Sequence, residues 1–276
     1  MAAFPSGHFY SPVIDVDELR GRRHELWPEE TGEPAGIDLN LEGQRALLEK
    51  LRDLAREYPF PTAEQAPDLP PERFRDGNGF FENLDSRMLY CMLRHLSPRR
   101  LVEVGSGHSS LLSAEVNRGL LGSSIEITCI EPHPSEVLKA GLPGIHALIP
   151  EPVQAVGLDP FLRLEDGDVL FIDSSHVSKT GSDVNFLYLE VIPRLATGVV
   201  IHVHDIFLPE EYPEAWVLGE GRSWNEQYLL KALLMFPTAF EVLFGCHCAA
   251  CFFPDQVADL FGGSFDGGSF WMRKAV

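Results

Sequence analysis

The arrangement of apolar and polar positions changes near residue 83. After it, short apolar runs alternate with segments in which apolar side chains recur every three to four positions, the pattern of buried strands separated by amphipathic helices. The clearest helical segment runs from Val184 to Leu195, and Pro193 is expected to kink or end it. The predicted strands span residues 100–104, 126–131, 144–149, 168–173, 199–203, 240–244 and 269–273, with further helices around 84–92, 111–116 and 228–236. This alternation predicts an α/β fold with a doubly wound, mostly parallel sheet.

The first 82 residues have a different pattern. They hold many of the 21 prolines and show one amphipathic helix, from Glu42 to Tyr58, whose leucines form an apolar stripe. Prolines restrict a chain without letting it join a sheet. We therefore predict an N-terminal arm over residues 1–82, with one helix, that packs on a main domain over residues 83–276.

A glycine-containing turn follows the first predicted strand, at residues 103–109. Ligands of parallel sheets bind at the carboxyl ends of the strands, where Gly105 and Gly107 permit a tight turn and a close backbone approach. Glu131 ends the next strand, where a carboxylate can accept hydrogen bonds from a ribose diol. A dinucleotide fingerprint needs glycine at the position of Ser110, so a nicotinamide cofactor is the less favoured interpretation.

The Glu-x-Gly-x-Gly sequence at residues 103–107 resembles motif I of the class I S-adenosylmethionine-dependent methyltransferases, and the resemblance extends over residues 100–276. It implies a seven-stranded Rossmann-like sheet and S-adenosylmethionine as the cofactor, with Glu131 on the cofactor ribose. The cofactor-binding residues that follow from it are Glu103, Gly105, Ser106, Gly107, Ser109, Glu131 and Asp173.

Carboxylates and imidazoles follow the fourth and fifth predicted strands, as Asp173 with His176 and as His204 with Asp205. Two carboxylates at neighbouring strand ends repel one another unless a cation or a shared proton intervenes. We predict a divalent metal held by Asp173, His204 and Asp205, where oxygen ligands suit Mg²⁺ and the imidazole favours Mn²⁺, Fe²⁺ or Zn²⁺. His176 is the candidate catalytic base for a substrate hydroxyl. Simple capping of the following helices by the two aspartates is the structural alternative.

This arrangement resembles that of metal-dependent small-molecule O-methyltransferases of the macrolide-sugar and catechol types. The resemblance implies methyl transfer to a small-molecule hydroxyl, assisted by a divalent metal and, as in the macrolide-sugar type, a histidine base. The catechol type shares the metal site but uses a lysine base. His204 stands where the macrolide-sugar enzymes carry a glutamate. N-methylation, an iron-dependent oxygenase or hydroxylase on the same fold, and a non-catalytic cofactor-binding module stay open as alternatives. The candidate lids are the loop from Phe207 to Ser223 and the aromatic start of the arm, at His8, Phe9 and Tyr10.

The composition of the chain narrows the classes of molecule that it is expected to bind. Asp and Glu number 41 against 22 Lys and Arg, a net charge of −19, which disfavours nucleic acids and anionic membrane surfaces. We expect a small-molecule substrate, no membrane span and, from five cysteines and the absence of a signal-like start, a cytoplasmic protein with free thiols. Monomer and homo-oligomer both stay open. The cluster Cys246–Cys251 lacks a second pair of zinc ligands elsewhere in the sequence, so buried or incidental thiols are preferred there over zinc.

Overall fold

The computed structural model describes residues 3–235 and 238–276. At its centre lies a seven-stranded sheet of order β3-β2-β1-β4-β5-β7-β6, in which β7 alone runs antiparallel to its two neighbours. The strands are β1 (Arg100–Val104), β2 (Glu126–Ile130), β3 (Ala147–Ile149), β4 (Val169–Ile172), β5 (Val200–Val203), β6 (Phe240–Gly245) and β7 (Phe270–Lys274). The predicted α/β fold with a seven-stranded, mostly parallel sheet is confirmed.

Helices cover both faces of this sheet. In the described part of the chain they are α1 (Val16–Gly21), α2 (Arg23–Leu26), α3 (Leu41–Arg56), α4 (Asn83–Leu96), α5 (His108–Leu120), α6 (Glu136–Lys139), α7 (Val153–Val156), α8 (Asp159–Leu162), α9 (Asp183–Phe186), α10 (Glu226–Leu234), α11 (Cys246–Phe252) and α12 (Pro254–Phe261). Two π-helices, Leu187–Val191 and Ala215–Gly219, and a 3₁₀ turn, Ile192–Arg194, complete the set.

The centre of the sheet is buried on both sides, and β4 is apolar and buried at all four of its positions. In β4, Val169 and Phe171 join the core formed with α3, α4, α5, α11 and α12, whereas Leu170 and Ile172 join the core on the opposite face. Continuous apolar runs of this kind are typical of parallel strands covered by helices on both faces. The carboxyl ends of β1, β2, β4 and β5 consequently share one edge of the sheet.

Two helical predictions need correction. The segment from Val184 to Leu195 forms one α-turn, then a π-helix and a 3₁₀ turn, because Pro193 has no N–H for the α-helical ladder and the Ile192 N–H donates to the Leu187 carbonyl. The helices α11 and α12 were not predicted, because aromatic and cysteine residues obscure the apolar period of residues 246–261. Phe236, predicted at the end of α10, lies outside the described residues.

The N-terminal segment packs in two places. The predicted helix is present as α3, which lies against α12 and β6, and two short helices precede it. These short helices contact the loop after β5, where the Arg20 guanidinium donates to the Leu218 carbonyl at 3.1 Å and the Trp27 indole to that of Tyr212 at 2.9 Å. The division of the chain at residues 82 and 83 stays a prediction. Within residues 3–235 and 238–276, every helix is too short or too polar to cross a membrane.

Candidate active site

The turn after β1 is built around Gly105, whose φ of +82° is a conformation that side chains strongly disfavour. A Cβ atom added there would lie 1.9 Å from the Asp173 carbonyl oxygen. The Asp173 N–H in turn donates to the Val104 carbonyl at 2.8 Å. The absent side chain therefore lets the ends of β1 and β4 touch. By contrast, a Cβ at Gly107 would have open space around it.

Glu103 lies beneath this turn and is almost fully buried. The Ser109 hydroxyl donates to its Oε1 at 2.5 Å and the Ser110 hydroxyl to its Oε2 at 2.8 Å. Burial raises the pKa of this carboxyl to about 7 despite the two donors. In this arrangement Glu103 and Ser109 brace the start of α5, and their direct contact with a cofactor stays a prediction.

Glu131 follows β2 and borders a cavity of about 340 Å³ together with Gly105 and Asp173. Its carboxylate accepts hydrogen bonds from the N–H of Ser106 at 3.2 Å and from that of His133 at 2.7 Å. Held in this way, the side chain has a fixed position at the edge of the cavity. The cavity thus offers a carboxylate from β2 and another from β4, which suits a ligand with a diol and a positive charge.

The predicted residues after β4 and β5 do converge. His176 Nε2 lies 3.4 Å from Asp173 Oδ1 and 3.2 Å from Asp205 Oδ2. His204 Nδ1 lies 3.7 Å from Asp173 Oδ1 and 3.5 Å from Asp205 Oδ1. The two imidazoles therefore approach the same pair of carboxylates. The donor atoms of Asp173, His176 and Asp205 all fall within 4.8 Å of one another.

Two further carboxylates hold the outer nitrogens of these imidazoles. Glu226, at the start of α10, accepts from His176 Nδ1 at 2.9 Å, and Asp85, on α4, lies 3.3 Å from His204 Nε2. Asp85 also accepts hydrogen bonds from the backbone N–H groups of Gly268 and Ser269. Carboxylates in this position fix the orientation of histidines that bind metals.

Glu226 and Asp85 are site residues that were not predicted from the sequence. Both are acidic residues at buried positions of largely apolar helix faces. An acidic side chain at such a position is the feature of the sequence that could have indicated a functional role.

The charges of this centre do not balance. Four carboxylates face two imidazoles, so two negative charges remain when all four carboxylates are ionised and both imidazoles are protonated, although burial raises the pKa of Glu226. Burial opposes protonation of His176, but its bonds to Asp173 and Glu226 outweigh burial and raise its pKa to about 10. The pKa of His204 is likewise raised, because Asp205 and Asp173 outweigh its burial. A divalent cation would supply the missing charge.

A second cavity, of about 620 Å³, opens on the other side of Asp173. His204 and Asp205 also border it, whereas His176 is buried behind the two aspartates, with its ring centroid 4.4 Å from that of Trp224. The far wall is mainly aromatic and comes mostly from the loop after β5: it consists of the rings of Phe80, Phe207, Trp216 and Trp224, together with Arg222.

The predicted lid loop therefore does border this cavity. In the predicted arm, Phe9 and Tyr10 are exposed to solvent, and the contact with the loop is made by residues 14–27 instead. Arg222 lies between two rings of the loop, 4.1 Å from the centroid of Trp216 and 4.5 Å from that of Trp224, which stiffens the wall.

Comparisons with known proteins agree with this geometry at the level of the domain. Residues 102–206, from β1 to the end of the segment that carries Asp205, match the family model described as a methyltransferase domain. An uncharacterized protein of Archaeoglobus fulgidus is 36% identical over 188 residues, which are 64% of this chain and 82% of that protein.

The structural similarity of this chain to solved structures is low. An O-methyltransferase from Bacillus cereus in complex with SAH has a TM-score of 0.39 and 14% identity, over 94% of this chain and all of that one. Cofactor-bound Rv0187 from MTB has a TM-score of 0.41 and 15% identity, over 95% of this chain and 97% of that one.

Proposed function

We propose that this chain methylates a hydroxyl group of a small molecule with the help of a divalent metal. The chain is a class I S-adenosylmethionine-dependent methyltransferase and belongs to the same family as the archaeal relative. One observation carries the proposal. Asp173 borders both cavities, and His204 and Asp205 border the second cavity directly beside it. A methyl donor in the first cavity and an acceptor in the second would therefore meet at Asp173.

The first cavity fits the methyl donor. Glu131 and Asp173 place carboxylates along it, and Gly105 lets the backbone come close to a ligand. When bound, S-adenosylmethionine supplies an electrophilic methyl group on a positively charged sulfur. The part of Glu131 would be to hold the ribose hydroxyls, and that of Asp173 to provide a negative charge near the cofactor.

The donor set also fits a divalent metal. Asp173, His204 and Asp205 would hold it, with His204 kept in orientation by Asp85. A bound cation lowers the pKa of a hydroxyl group that reaches it. The mixed imidazole and carboxylate ligands favour Mn²⁺, Fe²⁺ or Zn²⁺ over Mg²⁺.

In this proposal His176 accepts the proton of the substrate hydroxyl at Nε2, which the hydroxyl would have to reach between Asp173 and Asp205 because His176 borders neither cavity. Glu226 on Nδ1 fixes the tautomer that leaves Nε2 facing the aspartates. A cation held by Asp173 and Asp205 would offset two of the charges that raise the pKa of His176, whereas Glu226 would continue to raise it. As a second possibility for the same atom, His176 competes with His204 as the imidazole ligand of the metal.

The test is an activity assay on metal-free protein. We expect S-adenosylmethionine to bind in calorimetry without metal, and S-adenosylhomocysteine to form from a panel of phenols, catechols and sugar alcohols only after Mn²⁺, Zn²⁺ or Mg²⁺ is restored. Turnover with amines instead would indicate N-methylation. Turnover that is indifferent to chelators would contradict the metal, and oxygen uptake with Fe²⁺ in place of methyl transfer would favour an oxygenase.

Glu226→Gln separates the two roles of His176. Loss of the orienting carboxylate is expected to lower kcat about 10–100-fold. If His176 is the base, metal affinity stays unchanged and the acidic limb of the pH–rate profile shifts. If it is a ligand, metal affinity falls by a similar factor, which isothermal titration with Mn²⁺ would show.

A further inference from the structure

A second group of metal-ligating side chains lies on α11. His247 and Cys251 are four residues apart on this helix, so their side chains project from one face. Cys251 Sγ lies 3.5 Å from His247 Nε2. The neighbouring Cys246 and Cys248 are buried, and Cys248 Sγ contacts the Gln44 amide at 3.4 Å. Of the thiols on α11, that of Cys251 is thus the one placed beside the imidazole.

A third donor comes from a distant part of the chain. Glu210 lies in the loop after β5, and its Oε2 is 3.2 Å from His247 Nε2. The donor atoms of Glu210, His247 and Cys251 all lie within 4.8 Å of one another. The loop therefore supplies the separate ligand that the sequence pattern of residues 246–251 lacked.

Outer partners hold two of these donors in place. Both carboxylate oxygens of Asp266 lie 3.0 Å from His247 Nδ1, which directs Nε2 toward Glu210 and Cys251. The Thr31 hydroxyl donates to Glu210 Oε1 and leaves Oε2 facing the imidazole. An oriented imidazole and an oriented carboxylate around one point are the usual surroundings of a bound metal.

We propose that Glu210, His247 and Cys251 bind a transition metal of the zinc class and so fasten the loop after β5 to α11. Thiolate, imidazole and carboxylate together select Zn²⁺ or Co²⁺ over Mg²⁺ or Ca²⁺. Three protein ligands leave the fourth tetrahedral position to water or another small ligand. Binding releases the thiol proton of Cys251 and any proton on His247 Nε2. None of these ligands belongs to the Asp173 centre, but the loop that carries Glu210 also forms the far wall of the second cavity, which Asp266 borders as well.

Cobalt substitution tests the site in the full-length chain. Metal-stripped protein is titrated with Co²⁺, and the near-ultraviolet thiolate-to-cobalt charge-transfer band is recorded. Cobalt in the Asp173 centre cannot produce this band because that centre contains only nitrogen and oxygen donors. We expect the band in the wild type and in Cys248→Ser, the control from the same helix, and its loss in Cys251→Ser. No band in the wild type, or a band that survives Cys251→Ser, would overturn the proposal.

The affinity for Zn²⁺ and the rate of Cys251 alkylation test the site without relying on a single variant. His247→Gln is expected to weaken Zn²⁺ binding at this site by about 100-fold or more, and Asp266→Asn by about 10–100-fold. In the wild type, Zn²⁺ should slow alkylation of Cys251 by iodoacetamide about tenfold or more, mapped by peptide mass spectrometry, whereas Mg²⁺ should not. An alkylation rate that Zn²⁺ leaves unchanged contradicts the site even if a variant misfolds.

Discussion

The two sides of Asp173 are built in different ways. On the proposed cofactor side, Gly105, Ser106 and Glu131 follow two adjacent strands and offer the backbone and one carboxylate to a ligand. On the proposed acceptor side, the fold must bring together side chains from α4, from the ends of β4 and β5, from α10 and from the loop after β5. The first side is therefore specified locally and the second by the tertiary structure.

The largest effect is expected on the acceptor side. Asp205→Asn removes one of the two central carboxylates, and asparagine tolerates the φ of +57° at this position. We expect methyl transfer to fall about 10²–10⁴-fold with an unchanged dissociation constant for S-adenosylmethionine. Single-turnover kinetics and calorimetry measure the two quantities, and a matching loss of cofactor affinity would show that the two sides are not separate.

On the cofactor side, the largest loss of stability is expected from a change at the backbone of the turn after β1. Gly105→Ala forces a Cβ against the Asp173 carbonyl and strains a positive φ, so the free energy of unfolding should fall by about 3 kcal/mol or more. Gly107→Ala is the matched control and should change stability by less than about 1 kcal/mol, because its Cβ meets open space. Urea unfolding of both variants checks this. Equal losses would show that the contact between β1 and β4 is not what requires Gly105.

Glu103 provides a pH test of the same side. Its pKa is raised to about 7 from the ordinary value of 4.5, so between these values the unfolded chain loses a proton that the folded chain keeps. Its contribution to stability therefore falls as the pH rises, by about 3 kcal/mol above pH 7 relative to below pH 4.5. Relative to the wild type, Glu103→Gln should gain stability from pH 5 to pH 7.5 in denaturant titrations. A difference that does not vary with pH would contradict this account.

The smallest effect is expected at Glu131. Glu131→Gln keeps the shape of the side chain but loses its charge, so S-adenosylmethionine should bind about tenfold more weakly. The maximal rate at saturating cofactor should change little. Initial rates at varied cofactor concentration distinguish this pattern from that of Asp205→Asn, and a fall in kcat without a change in KM would reverse the assignment of the two sides.

Prediction from sequence succeeded where the information is local. The strands β1, β2 and β4 were located to within one residue because each is a short run rich in apolar residues. The turn at Gly105 and the position of Glu131 follow directly from those strands. The π-helix Leu187–Val191 differs from the predicted helix because one proline changes the hydrogen-bond pattern without changing the apolar period.

The partners of the histidines could not be predicted in this way. Glu226 lies 50 residues from His176, and Asp85 lies 119 residues from His204. Asp85 becomes a site residue only because the backbone before β7 closes over it, at Gly268 and Ser269. The third proposed ligand of the group on α11, Glu210, is 37 residues from His247 and depends on the fold of the loop in the same way.

The shared carboxylate of Asp173 also has a thermodynamic consequence. A positive charge in one cavity lowers the attraction of this carboxylate for a positive charge in the other. In the proposed reaction the sulfonium donor and the metal would weaken one another's binding, and by reciprocity each does so by the same factor. The thioether product is neutral and exerts no such repulsion. The affinity of the site for the metal would therefore rise once the methyl group has been transferred and the donor has lost its charge.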